Sequence, residues 1–226
     1  MNISKDDVKD VAMATVKGAI SGVPIVGGLF AEYIDLTQDK IADKRMAQWI
    51  NMVEAKLQKL QDDFESLTNN ELFYSCIQIA TINAMRAYQE EKQLLFANAI
   101  YNTAQLDLNS DKKILFLSLL DRHTLAGIKL LKYYSQSHYH EEDYIHRGGM
   151  VSSYTMPGTE LPIKSILQDN PEFNSDTNYV KALSEQLMSD SLISLIDFST
   201  PETPERAKRK RTLQLGDEFL AFITAE

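Results

Sequence analysis

The sequence predicts a mainly α-helical protein, and two stretches carry that prediction. Between Met46 and Leu67 apolar residues recur mostly every three or four positions, while the positions between them are largely Lys, Gln, Asp and Glu. That spacing places the apolar residues on one side of a helix, so we predict a long amphipathic helix over 38–67. Residues 71–105 then read as a helix that is apolar on more than one side, which suits the centre of a helical bundle. The stripe of the first helix comprises Met46, Trp49, Ile50, Val53, Leu57, Leu60, Phe64 and Leu67.

Composition and charge limit the classes of function. The chain has 226 residues, of which 44% are apolar and 24% charged, which suffices for one large domain or two small ones. Its net charge of −9 opposes the coating of nucleic acid or anionic lipid along the whole chain, although it leaves room for a local basic patch. The single cysteine, Cys76, excludes an intramolecular disulfide and fits a reducing cytoplasm, and its apolar neighbours predict a packing role.

The N-terminal part combines an acidic start with an uncharged, glycine-rich apolar stretch. The run GAISGVPIVGGLFAEYI begins at Gly18 and carries no charge as far as Ala31. We predict helices over 4–21 and 25–36, separated at Pro24 because proline lacks a backbone donor and disfavours helix at the residue before it. The acidic start is unlike a secretory signal, and the 14 uncharged residues fall short of the about 20 that a membrane-spanning helix needs.

Two interpretations of this stretch remain open. Small residues four positions apart let helix backbones approach closely, so the stretch is either a helix pair buried in the core or a segment that self-associates or enters a membrane. It resembles the glycine-rich N-terminal segments of helical membrane-disrupting effectors in bacterial and fungal defence. That resemblance implies an antiphage or toxin-like effector. The candidate residues for membrane contact or self-association are Gly18, Gly22, Pro24, Gly27, Gly28, Leu29 and Phe30.

The second half of the chain changes from long helices to shorter elements. We predict a helical bundle with the glycine-rich hairpin over 1–108 and a second domain over 109–226, which contains a long polar loop at 135–160. A helix in this domain begins at its cap Thr124. The other predicted elements are a helix capped by Ser110 or Asp111, helices over 161–168 and 178–190, strands over Leu192–Phe198 and Thr212–Leu215 around a charged turn, and a closing helix.

This order of elements resembles a winged-helix domain. The helix over Asn178–Asp190 stands in the place of the recognition helix, and the ending TLQLGDEFLAFI is similar to the wing-to-helix ending of many bacterial winged-helix proteins. The resemblance implies a winged-helix-like fold with a small β-wing, whose cations neutralise DNA phosphates. The implied binding residues are Lys181 on the recognition helix and Arg206, Lys208, Arg209, Lys210 and Arg211 on the wing.

The charges leave an interpretation without DNA open. The predicted recognition helix carries Lys181 against Glu185 and Asp190, so it is net acidic, whereas a helix that meets a polyanion is expected to be basic. The domain therefore either binds DNA or docks to a partner protein. In the second case the basic run is a solvated hairpin tip.

Three of the four histidines fall within the run SHYHEEDYIH. A His-x-His pair with a third histidine is able to hold zinc or another divalent ion, although the alternative is an ordinary polar loop. We find no catalytic or nucleotide-binding motif, so we expect neither enzymatic activity nor a cofactor. The candidate metal ligands are His138, His140 and His146.

Taken together, these patterns favour a non-enzymatic bacterial protein of the cytoplasm that is able to lie at the inner face of the membrane. Its helical N-terminal part would associate with membrane lipid or with itself, giving a homo-oligomer, and its winged-helix-like part would act as a sensor or docking module. One alternative is a transcriptional regulator that contacts DNA, or a partner protein, through 178–211. Another is an oligomeric interaction scaffold that uses the apolar stripe of the first long helix.

Overall fold

The computed structural model describes most of the chain from the first long helix onward. The glycine-rich stretch with its predicted helices, Phe64 of the stripe, and His140 and His146 lie outside the described residues. In the described part the protein is mainly helical, as predicted. The described ranges are 40–60, 67, 70–138 and 161–224.

Nine α-helices lie within these ranges, and a 3₁₀ turn follows the first and another follows the sixth. The two 3₁₀ turns are Gln58–Leu60 and Pro171–Phe173. The helices are α1 Lys40–Leu57, α2 Glu71–Arg86, α3 Glu90–Gln105, α4 Ser110–Arg122, α5 Leu125–Tyr134, α6 Pro162–Asp169, α7 Thr177–Ser189, α8 Pro204–Ala207 and α9 Gln214–Ile223.

The chain divides into two compact units. The first comprises Met1–Arg122 with Phe222–Glu226, and the second comprises His123–Ala221. The sequence suggested a division after residue 108, ahead of α4, whereas α4 belongs to the first of these units.

The apolar stripe of α1 forms part of the core of the first unit, where α1 packs against α2 and α3. The α-helix ends at Leu57, earlier than the predicted 67, and continues as a 3₁₀ turn. Trp49 is fully buried, and its indole Nε1 donates a hydrogen bond to Thr81 Oγ1 at 3.2 Å. This bond satisfies the one polar atom that the indole brings into the core. The stripe residues that are buried as predicted are Met46, Trp49, Ile50, Val53, Leu57 and Leu60.

The predicted single helix over 71–105 is two helices, α2 and α3. Neither Gly nor Pro marks the break. The side chain of Gln93 on α3 is buried and donates to the carbonyls of Ala84 and Ala87 at 3.2 Å each. The Ala84 carbonyl also accepts from Ala87 N at 3.2 Å, so Gln93 adds a second donor there and supplies one for the carbonyl of Ala87, which helps to stabilise the turn between the two helices.

Two buried asparagines on α3 bind the C-terminal end of α9. Asn98 Nδ2 donates to the carbonyl of Ile223 at 3.1 Å. Asn102 Nδ2 donates to the carbonyls of Phe222 at 2.9 Å and Thr224 at 2.7 Å. The last carbonyls of a helix have no intrahelical donor, so these amides allow the helix end to be buried.

The second unit contains the three helices expected from the sequence, α5, α6 and α7. Thr124 caps α5 as predicted, because its Oγ1 accepts from Gly127 N at 3.1 Å. The helices α5 and α7 pack together, and the buried hydroxyls of Tyr134 and Ser184 lie 2.8 Å apart in a hydrogen bond.

The predicted β-wing is not shown. In the described part of the chain, Leu192–Phe198 and Thr212–Leu215 meet in one isolated antiparallel bridge, between Ile193 and Thr212. In the first of these segments Asp197 turns the chain, because its carboxylate accepts hydrogen bonds from Ser199 N at 2.9 Å and from the Thr200 hydroxyl at 2.6 Å. In the second segment, which was predicted to be a strand over Thr212–Leu215, the helix α9 already begins at Gln214.

Gly216 lets the start of α9 lie against the backbone of the bridge segment. A Cβ on Gly216 would lie 2.2 Å from the carbonyl oxygen of Leu192, which also accepts a hydrogen bond from Leu213 N at 3.0 Å. That carbonyl is fixed by its own bond and cannot move aside without cost. A side chain at position 216 is therefore incompatible with this packing.

Replacing Gly216 with alanine should lower the free energy of unfolding by about 1–3 kcal/mol, because the added methyl overlaps backbone atoms. Urea denaturation followed by circular dichroism measures the change. Gly127→Ala is the matched control, since a Cβ there meets its nearest atom, Thr124 Oγ1, at 3.5 Å. That variant should gain up to about 1 kcal/mol from helix propensity. Equal destabilisation by the two variants would contradict the packing described for α9.

Candidate functional site

The basic segment, residues 206–211, contains five cations in six positions and is the densest charge cluster that the sequence singled out. Its backbone is hydrogen-bonded on two sides. On one side His138 N donates to the carbonyl of Lys208 and Arg211 N donates to the carbonyl of Tyr134, both at 2.8 Å. On the other side Ser194 N donates to the carbonyl of Arg211 at 2.8 Å. The segment is therefore built into the second unit and is not the tip of a solvated hairpin.

Arg211 is buried, although the sequence suggested a phosphate-binding cation on a wing. Its side chain is 1% exposed. The guanidinium Nη2 forms an ion pair with the Glu202 carboxylate and donates to the carbonyl of Arg206 at 3.1 Å. A buried guanidinium requires such a partner, because an unpaired charge in the interior is very costly. Tyr134, whose carbonyl accepts from Arg211 N, is buried as well, and this burial raises the pKa of its phenol to about 12.

Lys208 is held by a carboxylate at the C-terminal end of α6. Its Nζ lies 3.1 Å from Asp169 Oδ1, and the Tyr133 hydroxyl donates to the other oxygen of that carboxylate at 2.8 Å. Burial, together with the bond to Asp169, raises the pKa of the Tyr133 phenol above its usual range. The carboxylate therefore ties the basic segment to both α5 and α6.

His138 takes part in the same cluster as a packing and hydrogen-bonding residue. Its ring stacks on that of Tyr133 with the centroids 4.1 Å apart, and its Nε2 donates to the carbonyl of Tyr133 at 2.8 Å. The metal site suggested with His140 and His146 extends beyond the described residues. Within those residues, no group of three His, Cys, Asp or Glu side chains is placed to hold a metal ion.

Lys210 is paired with the first turn of α9. Its Nζ lies 2.7 Å from Asp217 Oδ2, and Thr212 Oγ1 donates to the other oxygen, Oδ1, at 2.6 Å. Partial burial works to raise the pKa of the Asp217 carboxyl, but the hydrogen bonds from Lys210 and Thr212 outweigh it and lower that pKa below its ordinary value. The Asp217 carboxylate thus accepts hydrogen bonds from both Lys210 and Thr212.

The remaining cations of the basic segment, Arg206 and Arg209, are exposed. Lys181, the candidate on the predicted recognition helix, is half-buried, and its Nζ lies 5.9 Å from the centre of the Phe198 ring. That distance suits a weak cation–π interaction. Among the cations proposed to bind phosphates, the arginines at 206 and 209 are thus the ones that face solvent without an ion pair within the described residues.

Two exposed leucines lie beside the basic segment, and sequence reasoning missed both. Leu195 is 86% exposed and follows Ser194, whose amide binds the carbonyl of Arg211. Leu213 is 42% exposed and lies two residues after Arg211. The alternating apolar residues of LISLIDFS predict a strand, and this pattern does not show that Leu195 is exposed. Exposed apolar residues are therefore close neighbours of the basic segment along the backbone.

Comparison with known proteins gave no matching family model, no matching curated protein and no matching solved structure. Among the described helices, none is both long and apolar enough to cross a membrane.

Replacing Arg211 with methionine should lower the free energy of unfolding by about 3–5 kcal/mol, because it removes the partner of a largely buried carboxylate. The exposed Arg209 is the matched control, and Arg209→Met should change the stability by less than about 0.5 kcal/mol. Thermal and urea denaturation measure both. Adding Glu202→Leu to Arg211→Met should recover part of the loss, and a double variant as unstable as the single one would count against the ion pair.

The stability of the second unit should fall in acid partly through Asp217. Its pKa is lowered in the folded state, so its contribution is complete above the ordinary pKa of an aspartate, about 3.9, and is lost as the pH falls through the lower folded value. The pair is largely solvent-exposed, so the contribution is below about 1 kcal/mol. The difference in unfolding free energy between the native chain and Asp217→Asn should therefore shrink between pH 5 and pH 3, within about that limit. A difference that is independent of pH would contradict this role.

Proposed function

We propose that the protein is a non-enzymatic association protein of the membrane-active, toxin-like or antiphage type. Its glycine-rich N-terminal stretch would meet lipid or other copies of the chain, and the His123–Ala221 unit would be the docking module, arranged like a winged helix. The observation that carries the proposal is the surface of the second unit, where Leu195 is 86% exposed beside a basic segment whose backbone is fixed on both sides. A rigid surface that keeps large apolar side chains in solvent is typical of a binding site.

DNA binding through the basic segment is the weaker alternative. Three of the five cations have an acidic partner within the chain, namely Asp169, Glu202 and Asp217. Each phosphate contact by Lys208 or Lys210 would have to replace an existing ion pair, which reduces the gain from counterion release. The observation that favours this alternative is that Arg206 and Arg209 are exposed and so are able to contact DNA phosphates.

Association through the stripe of α1 is also less favoured. The stripe residues from Met46 to Leu60 are 0–5% exposed, because α1 packs against α2 and α3 of the same chain. A coiled coil between copies would need that surface free. Homo-oligomers of this protein are therefore proposed to form through other surfaces, with the glycine-rich stretch as the first candidate.

Vesicle flotation and dye leakage with the full chain test the proposal. The native protein should float with lipid vesicles and release an entrapped dye, and Gly22→Leu or Gly27→Leu should reduce both, because the larger side chains keep helices apart. Mass photometry on the same samples measures self-association. Absence of flotation, leakage and self-association, with both glycine variants tolerated in cells, would remove the proposal.

A further inference from the structure

The basic segment lies next to two exposed leucines, Leu195 and Leu213, and we infer that together they form a site for anionic lipid headgroups. This inference rests on the proposed membrane association and names a second contact for it, separate from the glycine-rich stretch. The surface would bind the outside of a bilayer that contains anionic lipid. Its cations would meet the phosphate and carboxylate groups of the lipids, and its leucines would enter the boundary with the acyl chains.

Hydrogen bonds connect the parts of this surface. Ser194 N binds the carbonyl of Arg211, which places Leu195 next to the basic segment. The Arg211 guanidinium donates to the carbonyl of Arg206 at 3.1 Å, which joins the two ends of the segment. The backbone that carries the apolar and cationic side chains is therefore fixed before binding and does not need to be ordered, which limits the entropic cost of the contact.

The cations differ in how readily they reach a headgroup. Arg206 and Arg209 are exposed and available. Lys208 and Lys210 are engaged, but their ion pairs are partly exposed, with side-chain exposures of 25% and 50% for the two lysines. A lipid phosphate that meets either lysine has to replace its carboxylate, as a DNA phosphate would, so these two lysines are weaker contacts than the arginines. Arg211 is excluded from lipid contact because it is buried with Glu202.

The exposed leucines favour a bilayer over a nucleic acid. Contacts to DNA are made mainly by cationic and polar side chains. A leucine that is 86% exposed instead lowers the free energy of binding most when its side chain is removed from water. The exposed carboxylates of Glu205 and Asp197 repel either polyanion. The pKa of Asp197 is lowered to about 2 by the hydrogen bonds that it accepts within its turn. The apolar contact therefore has to add to a modest charge attraction, as it does for proteins that lie at a membrane interface.

Binding of the full-length protein to vesicles of phosphatidylcholine, with and without phosphatidylserine, tests the inference. The native chain should bind the anionic vesicles more tightly, and the difference should fall as salt is added. The double variant Arg206→Ala with Arg209→Ala should weaken binding to anionic vesicles about tenfold to a hundredfold. Exchange of the exposed Lys132 and Lys164 for alanine is the control with the same change of net charge, and it should have little effect.

The apolar part has its own variant and control. Leu195→Ser should weaken binding to anionic vesicles about tenfold, because the leucine no longer enters the interface. Leu115→Ser, at an exposed leucine of the first unit, should leave binding unchanged.

Removal of the internal acids should strengthen binding. Asp169→Asn with Asp217→Asn frees Lys208 and Lys210, and should raise the affinity for anionic vesicles about tenfold. Exchange of the exposed Glu172 and Glu185 for glutamine makes the same change in net charge as the control, and it should raise the affinity by a smaller factor.

The outcomes separate the two proposals. If the native chain binds no vesicles, the proposed membrane association fails. If it binds vesicles but the Arg206 and Arg209 variant and Leu195→Ser bind equally well, the headgroup site is wrong while the association stands. If the arginine variant instead loses affinity for duplex DNA in a gel shift and keeps its affinity for vesicles, the basic segment is a DNA contact and the lipid site is overturned.

Discussion

The ion pair between Arg211 and Glu202 is the interaction on which the second unit depends. A guanidinium is among the costliest groups to bury, so a fold that places one in its interior has to bring a carboxylate with it. Here that carboxylate comes from the segment between Asp197 and α8, which the pair holds against the chain ahead of α9. The same arginine supplies the amide and the carbonyl that join the basic segment to Tyr134 and Ser194.

Polar side chains in the first unit perform a comparable task for helix ends. Gln93, Asn98 and Asn102 each donate side-chain amide hydrogen bonds to backbone carbonyls at the C-terminal end of a helix. Helices that end inside a core need such donors, because water cannot reach them. The unit thus combines an apolar stripe on α1, which supplies burial, with amides on α3 that bind the ends of α2 and α9.

The position of the basic segment changes its functional meaning. As a solvated hairpin tip it would present five cations to a polyanion, whereas as a segment bonded on two sides it presents mainly Arg206 and Arg209. The acids that neutralise the other cations come from α6, from the segment ahead of α8 and from α9. The charge of this surface is therefore set by ion pairs within the fold, and exposed leucines lie beside the cations that remain.

The sequence by itself determined the helical character, the buried face of α1 and the cap at Thr124, because these depend on local spacing and on side chains three or four residues apart. It did not reveal the break between α2 and α3, where Gln93 binds the end of α2. Nor did it reveal that the two predicted strands meet in a single bridge within the described residues, beside the turn at Asp197 and the early start of α9. The sequence did not predict that Arg211 is buried either. A charge run looks the same in sequence whether its partners are water or distant carboxylates, and only the tertiary structure decides which of the two it meets.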